Sequence, residues 1–141
     1  MNASPPLQPY VILLGRTLLG LIFAISGLLK IAGFSGVAGY MGSKGGLPFP
    51  EVLLVLTIIV EVGGGFALIL GWQARLAALA LFFFVIAASL VFHQFWGADA
   101  AAYQNQFNHF MKNLSIMGGM LYVFAFGPGP LSIDERGRAA S

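Results

Sequence analysis

Residues 57–72 read TIIVEVGGGFALILGW, an apolar run that carries one carboxylate, Glu61, and then three consecutive glycines at 63–65. A run this oily fits the interior of a membrane helix and offers almost nothing to water. An ionised group inside a span is costly, so it faces the bundle interior or a wet cavity. The fold therefore turns on what flanks this run and on which cations reach Glu61.

Working outward, the rest of the chain has the same character. Of its 141 residues 58% are hydrophobic and 9% charged, and the mean hydropathy is +0.87. A soluble domain has about a quarter of its residues charged. So few charges exclude a soluble surface. The seven Lys and Arg residues are scattered singly, and a net charge of +2 is no footprint for nucleic acid. The absence of cysteine excludes disulfides, thiol chemistry and cysteine-held clusters.

A spanning helix needs about 20 mostly apolar residues. Four such segments are expected, over 10–32, 50–71, 74–96 and 106–126. The second starts at Pro50, a good first-turn residue. The fourth stops before GPGP at 127–130, which cannot continue a helix. The first lacks a basic stretch ahead of it and a cleavage site after it, so it reads as a retained helix rather than a signal peptide. The fold class expected is all-α, one integral membrane four-helix bundle over 1–141 with a polar C-terminal tail at 127–141.

The short link GWQAR at 71–75 makes the second and third helices an antiparallel hairpin. Two long connections, GFSGVAGYMGSKGGLPFP at 33–50 and GADAAAYQNQFN at 97–108, are read as loops. They fall on one side of the membrane and both termini on the other. Arg16, Arg75, Arg136 and Arg138 lie on the terminal side, and Lys30, Lys44 and Lys112 on the other. That bias places the termini in the cytoplasm.

The polar residues of the spans form stripes. Arg16, Gly20, Phe23, Gly27 and Lys30 share one face of the first helix, and Glu61, Gly65 and Leu68 one face of the second. Asn108, Lys112, Ser115, Gly119 and Tyr122 align on the fourth, while Ser89, His93 and Trp96 share a side of the third. The glycines let helices approach closely, either within the chain or across a homodimer. Glu61 lies about 10 residues into its helix, roughly the bilayer midplane. Arg16 and Lys112 enter about 9 Å from opposite ends.

Two readings of this set stand side by side. In one, the groups are buried ion pairs that fix packing, with Arg16 or Lys30 snorkelling to water. In the other, Glu61, His93, Lys112 and Asn113 line a polar cavity that opens toward the long loops and binds a polar head group or relays protons. Trp96 also suits an interfacial anchor. His93, His109 and Asp99 lack the spacing of a metal site, so no metal is expected.

These elements together resemble the DoxX family of small four-helix bacterial inner-membrane proteins. The resemblance rests on RTLLGLIFAISGLLK from Arg16, Tyr40, Gly46 and Pro48, EVGGGFALILGWQAR from Glu61, HQFW from His93, FMKNLSIMGGML from Phe110, and GPGPLSID ending at Asp134. It implies a bacterial inner-membrane location. The family takes its name from a small subunit of a thiosulfate:quinone oxidoreductase. The resemblance thus implies a quinone or a redox-protein partner, with Arg16, Lys30, Glu61, Arg75, His93, Lys112 and Asn113 as the matching positions.

Three functions follow as expectations. The first is a non-enzymatic membrane subunit that holds a quinone or a redox partner beside Glu61. The second is an oxidoreductase or carrier with Glu61 as its proton site, although no complete catalytic constellation is present. The third is a structural protein whose polar groups only specify packing.

Overall fold

The computed structural model describes residues 7–139, so the end of the expected tail, at 140–141, lies outside the described residues. The described chain is helical. In order it forms α1 (Gln8–Ala32), α2 (Phe34–Ser43), α3 (Pro50–Leu70), α4 (Ala74–Phe92), a 3₁₀ turn (Phe95–Gly97), α5 (Ala100–Phe126) and α6 (Ile133–Ala139). Three segments are long and apolar enough to cross a membrane: Gln8–Ala32, Pro50–Leu70 and Ala74–Gly97. The fourth expected span falls in α5, which is 27 residues long. Gln104, Gln106, Asn108, His109, Lys112 and Asn113 make the first half of that helix more polar than the other three.

Helix α1 packs chiefly on α3, α3 on α4, and α4 on α5. Glycines set the closest of these approaches. A Cβ on Gly65 would lie 2.6 Å from the Ala24 backbone nitrogen, and one on Gly20 would lie 2.6 Å from the Gly65 carbonyl oxygen. The two helices therefore meet backbone to backbone. Phe23, Leu68, Leu81, Val85 and Met120 form the main buried cluster, with alanines of α3 and α4 between them.

Two connections depart from the expected loops. The 33–50 segment contains α2, whose Ala38 and Met41 bury against Leu54 of α3 in a second core cluster. Three of its ten residues are glycine, so tertiary docking rather than intrinsic propensity holds it. Most of the 97–108 segment is the first part of α5. Asp99 caps that helix, its carboxylate accepting from the Ala102 amide at 2.8 Å, which satisfies one of the orphan amides of the first turn.

The α3–α4 turn depends on the C-terminal segment. Helix α3 ends on Gly71, whose φ of 67° lies in the left-handed region, and the Trp72 amide bonds the Ala67 carbonyl at 2.9 Å. This is a glycine-terminated helix end. The first amides of α4 have no local cap. Instead Asp134 accepts from Gln73 N at 2.8 Å and from Ala74 N at 3.0 Å. Residues 127–139 are thus docked on the turn and include a helix. We expect Asp134→Ala to lower stability by about 1–2 kcal/mol, the usual cost of a lost N-cap. A thermal melt in detergent and faster proteolysis within 127–139 would show it. An unchanged melt would mean that these bonds add nothing net.

Candidate functional site

Glu61 sits within a three-residue network built from α1 and α3. Lys30 Nζ donates to Glu61 Oε1 at 3.0 Å and to Ser26 Oγ at 2.6 Å. Ser26 Oγ donates to the same Glu61 oxygen at 3.2 Å. Ser26 and Lys30 are four residues apart on one helix, so both side chains face the same partner. Glu61 Oε2 is 2.8 Å from Lys30 Nζ, inside ion-pair range, yet off a hydrogen-bonding direction and without a hydrogen-bond partner. The pair is unequally buried. The Glu61 side chain is 4% exposed and that of Lys30 is 25% exposed.

This network forms part of the wall of a chamber of about 740 Å³, within the size range of small-molecule sites. Ile22 and Phe23 of α1, Leu56 and Val60 of α3, and Phe84 and Val91 of α4 give it a largely apolar lining. Val37, Tyr40 and Met41 of α2 also line it, and Tyr40 stacks on Phe92 with ring centroids 5.7 Å apart. The segment expected to be a loop is therefore part of the chamber wall. Besides Thr57 of α3, one turn before Glu61, its remaining polar lining is His93, Lys112 and Asn113.

Those three residues make a second polar group between α4 and α5. His93 Nδ1 is 3.0 Å from Gln106 Oε1, and its ring stacks on His109 with centroids 4.9 Å apart. Lys112 Nζ lies 3.3 Å from His109 Nδ1, where a neutral imidazole nitrogen accepts from the ammonium. Buried Asn113 donates to Ser89 Oγ at 2.9 Å, and Ser89 donates in turn to the Val85 carbonyl at 2.7 Å.

The other expected site residues lie elsewhere. Arg16 is buried at 3% exposure, and its guanidinium donates to the carbonyls of Pro128, Leu131 and Ile69. Arg75 Nη1 bonds the carbonyls of Phe124 and Ala125 at 2.8 and 3.0 Å, satisfying the end of α5. Arg16 ties down the C-terminal segment, and Arg75 the end of α5. Trp96 is 57% exposed and makes edge contacts with Phe95 and Phe110. Ser26 and α2 did not emerge from the sequence as site elements. The i,i+4 spacing of Ser26 and Lys30 is the signal that could have found the first.

Comparison with known proteins places the chain in a family. The family model described as DoxX matches residues 11–94. The chain belongs to the DoxX family. The matched region of this DoxX protein contains Ser26, Lys30, Glu61 and His93, while Lys112 and Asn113 lie beyond it. The chain is 32% identical over 129 residues to inner membrane protein YphA of Escherichia coli, covering 92% of this chain and 91% of that one. It is 34% identical over 129 residues to inner membrane protein YqjF of the same organism, covering 92% and 93%. It is also 30% identical over 131 residues to the Surfeit locus protein 4 homolog of Schizosaccharomyces pombe. That match covers 92% of this DoxX chain and only 38% of the yeast protein. No solved structure matches it. The protein is thus a DoxX-family membrane protein in contact with the lipid bilayer.

Proposed function

We propose that this protein is a non-enzymatic membrane subunit that holds a small amphipathic molecule, of which a quinone is one class, in the chamber beside Glu61. The observation that carries the reading is the lining itself. Apolar side chains from three spans and α2 surround a buried ion pair and a second polar group at His93 and Asn113. An oily wall with a few placed polar groups suits a ligand with an apolar body and a polar head.

In this reading α5 completes a four-helix transmembrane bundle with α1, α3 and α4. The α3–α4 pair is an antiparallel hairpin, and both termini face the cytoplasm of a bacterium. The weak excess of positive charge at the terminal end, four Lys and Arg residues against three, supports that orientation. The pairing of α1 with α3 uses Gly20 and Gly65 inside one chain. A homodimer would therefore need a different face, and a redox-protein partner would dock where the chamber reaches Lys112.

The test is mass spectrometry of small molecules retained by the protein purified in mild detergent from native membranes. We expect one lipophilic species near stoichiometric amounts in the wild type. It should be depleted at least about tenfold in Ala88→Trp, which blocks part of the chamber with a bulky side chain and replaces none of the polar residues that line it. Retention of the same lipids by both proteins would sink the binding reading.

A further inference from the structure

The hydrogen-bond inventory of the network says which kind of head group the chamber is built for. A lysine ammonium has three hydrogens and no acceptor. Three oxygens crowd Lys30 Nζ: Ser26 Oγ at 2.6 Å, Glu61 Oε2 at 2.8 Å and Glu61 Oε1 at 3.0 Å. Two of its hydrogens go to Ser26 Oγ and Glu61 Oε1, and the third is nearest Glu61 Oε2, an ion-pair contact without hydrogen-bond alignment. Ser26 spends its single hydrogen on Glu61 Oε1. Ser26 therefore has no hydrogen left for a ligand carbonyl, and the third Lys30 hydrogen is held by the charge of the Glu61 carboxylate.

Within this network the spare capacity lies on the Glu61 carboxylate. A carboxylate has about four lone-pair sites, and the two hydrogen bonds to Glu61 both fall on Oε1. Among the described residues, Glu61 Oε2 and Arg16 Nε are the buried side-chain atoms without a hydrogen-bond partner. Arg16 is held against the C-terminal segment, whereas Glu61 lines the chamber. Oε2 has its ion-pair contact with Lys30 and no aligned hydrogen bond, so it keeps lone pairs for a further donor. The terminal torsion of a glutamate is broad, so rotation about it can turn Oε2 toward a ligand.

Charge adds a second constraint. Lys30 and Glu61 cancel, so the deep end of the chamber carries no net charge for an ionic ligand to neutralise. The positive charge of Lys112 sits on an exposed side chain beside His109. It makes no demand for a buried anion.

We propose that the chamber selects a neutral amphipathic molecule whose head group donates a hydroxyl hydrogen, a phenol or hydroquinone in class, and that the Glu61 carboxylate accepts it. The inference rests on the binding reading above and specifies the head group. A molecule that offers only a carbonyl or an ether oxygen meets lone pairs at Glu61 and binds more weakly.

The probes are 4-octylphenol and its methyl ether, 4-octylanisole, which differ at one hydroxyl. Affinities are measured by titration calorimetry in detergent micelles, with Ala88→Trp supplying the micelle-partition background. For the wild type we expect the phenol to bind at least about tenfold more tightly, the scale of one hydrogen bond to a charged acceptor. In Glu61→Gln, Lys30 and Ser26 hold the amide oxygen and the NH₂ group faces the ligand. The preference should then vanish or reverse. If Glu61→Gln does not fold, the double variant Lys30→Met with Glu61→Leu reads the same preference. Equal wild-type binding of both probes overturns the donor inference and leaves the binding reading standing. A phenol preference that survives in Glu61→Gln also overturns it, by assigning the difference to the extra methyl. If neither probe exceeds the Ala88→Trp background, this inference fails together with the binding reading for ligands of this class.

Discussion

Gly65→Leu will separate α1 from α3 and prevent the protein from reaching its native packing. The effect is large because the neighbour is backbone. A Cβ at position 65 would lie 2.6 Å from Ala24 N and 2.8 Å from Gly20 O, and neither atom can rotate away. Overpacking against side chains costs about 1–3 kcal/mol, and a clash with a rigid helix exceeds that. The gain in helix propensity over glycine, up to about 1 kcal/mol, does not offset it. The other two glycines of the run are internal controls. A Cβ at Gly64 would come 2.9 Å from Leu81 Cγ, a side chain rather than backbone, though a fully buried one that would have to shift, whereas a Cβ at Gly63 would meet nothing within 4 Å. Gly63→Ala should therefore raise stability by about 0.5–1 kcal/mol, Gly64→Ala should be mildly destabilising, and Gly65→Leu should yield little monodisperse protein. Detergent melts and size-exclusion profiles of the three variants would order them. Normal behaviour of Gly65→Leu would contradict the α1–α3 contact itself.

This gradient across 63–65 also shows what a reader of the sequence could see. Glycine at those positions announces a close approach but not its direction, because three successive residues of a helix face three ways. The stripe from Arg16 through Gly20 and Gly27 to Lys30 pointed to a cationic, small-residue face, and the helix does meet α3 along it. Which cation reaches Glu61 was not legible. Arg16, Lys30 and Lys112 all had the length for it, and the choice depends on axial register. Gly27 packs against Glu61 and Val62, which sets Lys30 one turn beyond and within reach. Arg16 satisfies backbone carbonyls at Pro128 and Leu131, and carbonyl acceptors leave no mark in a sequence. Helix α2 was hidden for a different reason. Gly36, Gly39 and Gly42 read as a loop, and only burial of Ala38 and Met41 on α3 makes a helix of them. Likewise the polar run before 106 looked like a connection until Asp99 capped it.

Lys30→Met is expected to cost about 3 kcal/mol, because it leaves the Glu61 carboxylate buried with Ser26 as its remaining partner. Removing one member of a buried pair commonly costs about 3–5 kcal/mol, and the 25% exposure of the Lys30 side chain puts this case at the lower end. The informative variant is the double one. In Lys30→Met with Glu61→Leu both charges go, apolar groups of similar size fill the space, and Ser26 can turn to the carbonyl one turn back on its own helix. Replacing a buried pair by apolar residues is often neutral or stabilising. The double variant should therefore melt within about 1 kcal/mol of the wild type. That recovery separates two roles that one substitution confuses. If the pair exists to hold α1 on α3, the double variant stays as unstable as Lys30→Met, and the network is structural. If its stability returns while the preference for 4-octylphenol over 4-octylanisole is lost, the carboxylate is kept in the membrane for what it binds. The backbone contact at Gly20 and Gly65 argues for the second outcome, because it already fixes the approach of the two helices without any help from charge.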